Sequence, residues 1–69
     1  MLKVRDVRAL LHQTGYVERP GKGSHRIWTH PALPDQPLIL CGHDNADVLR
    51  YQETRLRKQM NALRNRRAS

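Results

Sequence analysis

Apolar residues recur between residues 3 and 14 at the spacing of a single helix face. Val4, Val7, Leu10 and Leu11 share that face, while Lys3, Arg5, Arg8 and His12 turn outward. Asp6 lies near the positive end of the helix dipole, and Gly15 offers a left-handed stop. The pattern then changes. Tyr16 to Arg19 reads as a short strand, and Pro20-Gly21-Lys22-Gly23 as a turn with two glycines free to take positive φ. Ser24 to Thr29 resumes extended structure with β-branched Ile27 and Thr29 and aromatic Trp28, completing a hairpin. Three prolines and an aspartate between Pro31 and Pro37 predict a loop. Leu38-Ile39-Leu40-Cys41 is an apolar run of strand length, expected to form a third strand with both faces at least partly covered, and Gly42 to Asp47 is turn-like. A second helix is predicted from Val48 to Leu63. Leu49, Leu56, Met60 and Leu63 form its apolar stripe, and Arg50, Arg57 and Arg64 repeat every seven residues on another face.

The order helix, three strands, helix predicts an α+β fold. A single domain spans residues 1–65, and a basic, frayed tail occupies 66–69. Two amphipathic stripes are buried most simply when both helices lie on one face of an antiparallel three-stranded sheet, which leaves the other face and the loops open. Double-stranded-RNA-binding domains use this arrangement, although architecture alone does not fix function. A chain of 69 residues can build only a thin core. Trp28 is either part of that core or a base-stacking platform. If it is core, alternation puts Ser24 and Arg26 on its side, at the rim, and His25 on the open face.

Charge narrows the partner. Thirteen Lys and Arg against six Asp and Glu give a net charge of +7, and ten of the thirteen cations are arginine. Residues 50 to 69 hold seven cations and one acid, Glu53. Arginine suits bidentate phosphate contacts and stacking on bases, so this balance points to nucleic acid before membrane. The plainer alternative is a solvated helix face with a basic tail. A lone cysteine, Cys41, fits a reducing compartment, and no stretch approaches the roughly 20 apolar residues of a membrane span. With no signal-peptide pattern at Met1, the expected location is cytoplasmic.

Among four histidines, His12 reads as plain surface, whereas His25 follows the flexible, cationic turn Gly21-Lys22-Gly23-Ser24 and precedes Arg26. Turn amides with Lys22 and Arg26 can hold a phosphate, and an adjacent imidazole can move a proton near neutral pH. The alternative is a polar residue at a strand start. RNA suits so small a site, because its 2′-hydroxyl is an internal nucleophile needing no positioned water or metal. Asp44 and Asp47 could cap the second helix. Cys41, His43 and another histidine match no standard zinc spacing, and no P-loop, nucleophile elbow or Cys–His pair of recognisable spacing is present.

Residues 2 to 63 resemble the HicA toxins of toxin–antitoxin modules. The resemblance rests on Gly15 before Tyr16, then Lys22-Gly23-Ser24-His25, then Trp28 and His30-Pro31, in that order. It implies a double-stranded-RNA-binding-domain-like fold and a metal-independent endoribonuclease that cleaves mRNA and blocks translation, with no cofactor. It also implies His25 as the catalytic residue and a HicB-type antitoxin that covers the site. Lys22, Gly23, Ser24 and Arg26 are the expected RNA contacts. A non-catalytic RNA-binding module of the same fold is the alternative. After Cys41 the likeness weakens, since Tyr51-Gln52-Glu53-Thr54-Arg55-Leu56 replaces the Gly-Thr-Leu segment of many members.

Overall fold

A computed structural model describes residues 2–68, the side chains of Arg67 and Ala68 excepted. The elements follow in the expected order: α1 (Val4–Gln13), β1 (Val17–Pro20), β2 (Arg26–His30), β3 (Leu33–Leu40) and α2 (Arg50–Ala68). The strands form one antiparallel sheet in the order β1-β2-β3, with Glu18 opposite Trp28 and Trp28 opposite Leu38. Both helices cover the same sheet face. Val4, Val7 and Leu11 of α1 and Leu56 of α2 join Trp28, Leu38 and Leu40 in one cluster, and Trp28 is fully buried. Ile27 and Ile39 pair on the uncovered face, with Ile39 exposed.

The first helix ends as its sequence requires. Gly15 takes φ +94°, its N–H donates to the His12 carbonyl, and the Tyr16 N–H reaches back to Leu11. These two bonds are a Schellman closure, with Tyr16 and Leu11 meeting in the core. At the other end, the N–H groups of Val4 and Arg5 donate to the carbonyls of Ala46 and Asp44. The 43–48 loop therefore satisfies donors that a helix start leaves free. Asp44 and Asp47 serve this junction and not the second helix. Asp44 pairs with Arg8 at 2.7 Å and Asp47 with Lys3 at 2.6 Å, and the Lys3 ammonium holds the Asp47 carboxyl below its usual range.

Several boundaries and burials differ from expectation. The proline-rich stretch is not a loop after residue 32, because β3 begins at Leu33 and carries Pro34 and Pro37 within it. A strand at the sheet's edge can do without some ladder N–H groups, so proline is tolerated there. Leu10 and Leu49, both expected in the core, are 37% and 49% exposed. The second helix starts at Arg50, and it continues to Ala68 through most of the segment expected to fray; Ser69 lies outside the described residues.

The buried face of α2 is Gln52, Leu56 and Gln59, with Met60 and Leu63 partly buried. Two glutamines thus occupy positions an apolar stripe leaves unread. Gln52 accepts the Leu49 N–H at the helix start and donates to the Ile39 carbonyl, at 3.1 and 3.0 Å. Gln59 donates to the Gln36 carbonyl at 2.7 Å and accepts the Tyr16 hydroxyl. Burial raises the Tyr16 phenol above its ordinary value.

Replacing Tyr16 with Phe strands a buried acceptor on Gln59 and should cost about 1–3 kcal/mol. Because the folded protein favours the protonated phenol, Tyr16 contributes stability that is complete below about pH 10 and lost as pH rises towards the raised folded value. The stability gap between wild type and Tyr16→Phe should therefore narrow above about pH 10. Urea melts of both proteins across that range would check it, and parallel curves would contradict the burial account.

Candidate active site at the hairpin turn

The β1–β2 connection is a tight turn closed by its own backbone. The Gly21 N–H donates to the His25 carbonyl at 2.9 Å, and the His25 N–H to the Lys22 carbonyl at 3.0 Å. Gly23, at φ +58°, is the only residue of this turn in the left-handed region. That pattern, positive at the first central position alone, belongs to a type II′ hairpin turn and suits glycine. Lys22, Gly23, Ser24 and His25 are all exposed.

The turn also orients the imidazole. His25 Nδ1 lies 2.9 Å from the Lys22 carbonyl oxygen. A carbonyl can only accept, so Nδ1 carries the proton and the neutral ring keeps its lone pair on Nε2. His25 is thereby held in the tautomer of a proton acceptor by a bond within its own turn.

His25 does not project over the uncovered sheet face. β2 begins at Arg26, so His25 stands before the strand and outside its alternation. It lines a cleft of about 220 Å³ whose other walls include Ile39 and Leu40 of β3 and Tyr51, Gln52 and Arg55 of α2. Ser24 and Arg26 open onto a different hollow, of about 440 Å³, with Arg8, His43 and Asp44. Arg26 lies 3.8 Å from Glu18, a carboxylate that also faces Arg8 at 3.7 Å and His12 at 3.9 Å. Of the five residues singled out by sequence, then, the structure joins Lys22, Gly23, Ser24 and His25 in one turn but draws Arg26 towards the β1 carboxylate.

Sequence reasoning missed Tyr51, Gln52 and Arg55. Their signal was the spacing of Gln52, Leu56 and Gln59, which sets the helix's inward face and leaves Tyr51 and Arg55 beside it. Arg57, one of the arginines that repeat every seven residues along α2, is exposed and paired with Glu53 at 2.9 Å. His12 is exposed with its ring edge against Trp28, 4.9 Å between centroids. Among the described residues, no three His, Cys, Asp or Glu side chains are grouped so as to hold a metal ion.

His30 has a different task. Its Nδ1 accepts the Ala32 N–H at 3.0 Å, so its Nε2 carries the proton donated to the Thr14 carbonyl at 2.9 Å. It is the opposite tautomer to His25, with both nitrogens occupied, and its ring edge meets Tyr16. His30 pins the end of β2 to the end of α1.

The family model described as the HicA toxin of bacterial toxin–antitoxin systems matches residues 4–62, from the first residue of α1 to well inside α2. The chain belongs to the HicA toxin family. Comparisons with curated proteins and with solved structures find no match. Membership makes this HicA protein a toxin of a toxin–antitoxin pair, with a cognate antitoxin as partner. None of the helices, among the described residues, is long and apolar enough to cross a membrane.

The two histidines should separate in mutants. His30→Ala removes two hydrogen bonds at a partly buried position and should lower stability by about 1–3 kcal/mol. His25→Ala, on an exposed turn, should change it by no more than about 0.5 kcal/mol. Denaturant melts would measure both, and a larger loss for His25→Ala would make His25 a structural residue.

Proposed function

We propose that this HicA protein is an endoribonuclease acting on mRNA without a metal, with His25 as the catalytic residue. The observation that carries the proposal is the Nδ1–H bond to the Lys22 carbonyl, which leaves Nε2 as a base in a cleft. His25 Nε2 takes the proton of a ribose 2′-hydroxyl, whose oxygen bonds to the adjacent phosphorus as the bond to the 5′-oxygen breaks. Water supplies the proton that the departing 5′-oxygen needs. Lys22 and the backbone N–H groups of Gly23 and Ser24, two exposed residues, offset charge developing on the phosphoryl oxygens. Arg26, shared with Glu18, is the weaker contact of the expected set.

The antitoxin in this reading is a HicB-type protein that covers His25 and the Gly21–Ser24 turn with an acidic surface. The toxin's +7 charge favours an acidic inhibitor, since complementary charge speeds encounter and disfavours wrong partners. Occlusion of an exposed turn needs no conformational switch.

Purified protein should cleave single-stranded RNA in EDTA, leaving 2′,3′-cyclic phosphate and 5′-hydroxyl ends. His25→Ala should lose about 10²–10⁴-fold in rate while retaining the wild-type melt. Equal cleavage of DNA, or undiminished cleavage by a folded His25→Ala protein, would defeat the mechanism. RNA binding without cleavage would instead favour a non-catalytic RNA-binding module.

A further inference from the structure

The cleft beside His25 is not closed. It adjoins a second hollow of about 460 Å³ lined by Gln36, Pro37, Arg55, Lys58 and Gln59, and Ile39 and Arg55 border both. Together they form one groove between β3 and α2 that starts at the imidazole. Its outer wall is a single helix stripe, because Tyr51, Arg55 and Lys58 stand at i, i+4 and i+7. The neighbouring stripe, Gln52, Leu56 and Gln59, is buried and fixes the wall in place.

The three wall residues are all exposed, and Tyr51 is 56% exposed despite its aromatic ring. Arg55 and Lys58 have no carboxylate partner among the described residues, whereas Arg57, on another face of the helix, is held by Glu53. Asp35 lines only the far hollow, so negative potential marks the end of the groove away from His25. An aromatic face followed by two unpaired cations beside an imidazole matches the needs of a single strand: a base to stack, then phosphates to neutralise. From Tyr51 to Lys58 the helix rises about 10 Å, at about 1.5 Å per residue. That is the length of about three stacked nucleotides at about 3.4 Å each.

We propose that the β3–α2 groove is the track holding the RNA strand at His25, with Tyr51 stacking a base and Arg55 and Lys58 contacting successive phosphates. The assignment of the bound polymer as RNA rests on the ribonuclease reading above. Substrate then reaches the imidazole along α2 and not across the uncovered sheet face.

The test compares wild type with Tyr51→Ala, Tyr51→Phe, Arg55→Gln and Lys58→Gln, all at exposed positions. Arg19→Gln, an exposed cation on β1, is the control. Cleavage of a short single-stranded RNA is followed together with binding of the same sequence methylated at every 2′-oxygen, which cannot be cut by its own hydroxyl. Tyr51→Ala should weaken binding about tenfold and Tyr51→Phe should restore it. Arg55→Gln and Lys58→Gln should each flatten the log–log salt dependence by about 0.7, which Tyr51→Ala should not do. In cleavage, Tyr51→Ala and Lys58→Gln should raise KM more than they lower kcat. Arg19→Gln should match wild type throughout. If wild type cleaves RNA while the groove variants bind with unaltered affinity and salt slope, the track is wrong and the ribonuclease reading stands; the groove would then be free for a protein partner. If wild type binds the methylated strand as described but cuts no RNA, the track holds and the catalytic reading falls. Failure of wild type to bind or cut overturns both.

Discussion

Two buried glutamines, Gln52 and Gln59, stand two helical turns apart and donate their amides to carbonyls of β3. Burying an amide without a partner costs on the order of 1–3 kcal/mol, so each holds α2 at one height along the strand. An all-leucine stripe would bury more apolar area but could slide. Gln52 also accepts the N–H of Leu49, so one side chain both starts the helix and docks it. Gln59 extends the chain of bonds to Tyr16, just past the end of α1. The groove beside His25 follows from this constraint, since its wall can stand beside β3 only if the helix cannot rotate.

The remaining support is spread thinly, as expected for a chain of 69 residues. Trp28, Leu11 and Val7 are its most completely buried side chains, and the Trp28 indole N–H has no acceptor among the described residues. The core accepts that cost to seat a large aromatic where both helices meet the central strand. Backbone bonds from residues 2, 4 and 5 to the 43–48 loop hold α1 beside the start of α2. The ion pairs of Arg8 with Asp44 and Lys3 with Asp47 lie over that junction, where solvent exposure screens them and keeps each weak. They guide the loop more than they stabilise it.

What could be read from sequence follows from which signals are local. The first helix, its Gly15 stop and the hairpin depend on nearest neighbours and period, and all are legible; Trp28 stays open in sequence between core and stacking platform, and only the packing shows it to be core. β3 was only half legible, because Pro34 and Pro37 signal a loop unless one knows that the strand lies at an edge, and that is a property of the whole sheet. Leu49 misled for a related reason. Its hydrophobicity suggests core, but the inward face of α2 is set by the hydrogen-bonding glutamines, which an apolar count ignores. His25 is singled out by its turn, yet its surroundings are not legible, because strand alternation does not reach a residue standing before the strand.

The separation of chemistry from binding in the proposed site has a physical origin in that turn. Catalytic histidines are often oriented by a carboxylate on another segment, so that orientation depends on tertiary packing. Here the orienting acceptor is a carbonyl three residues earlier, at Lys22, within a loop that closes on its own backbone. A neutral carbonyl fixes the tautomer without adding a negative charge, which would repel an approaching phosphate. In the proposed mechanism the base is thus prepared by five consecutive residues, and the proposed track leaves α2 to meet the RNA. Changes along Tyr51, Arg55 and Lys58 can then alter which strands bind without disturbing the imidazole, and the turn can stay constant while the helix diverges.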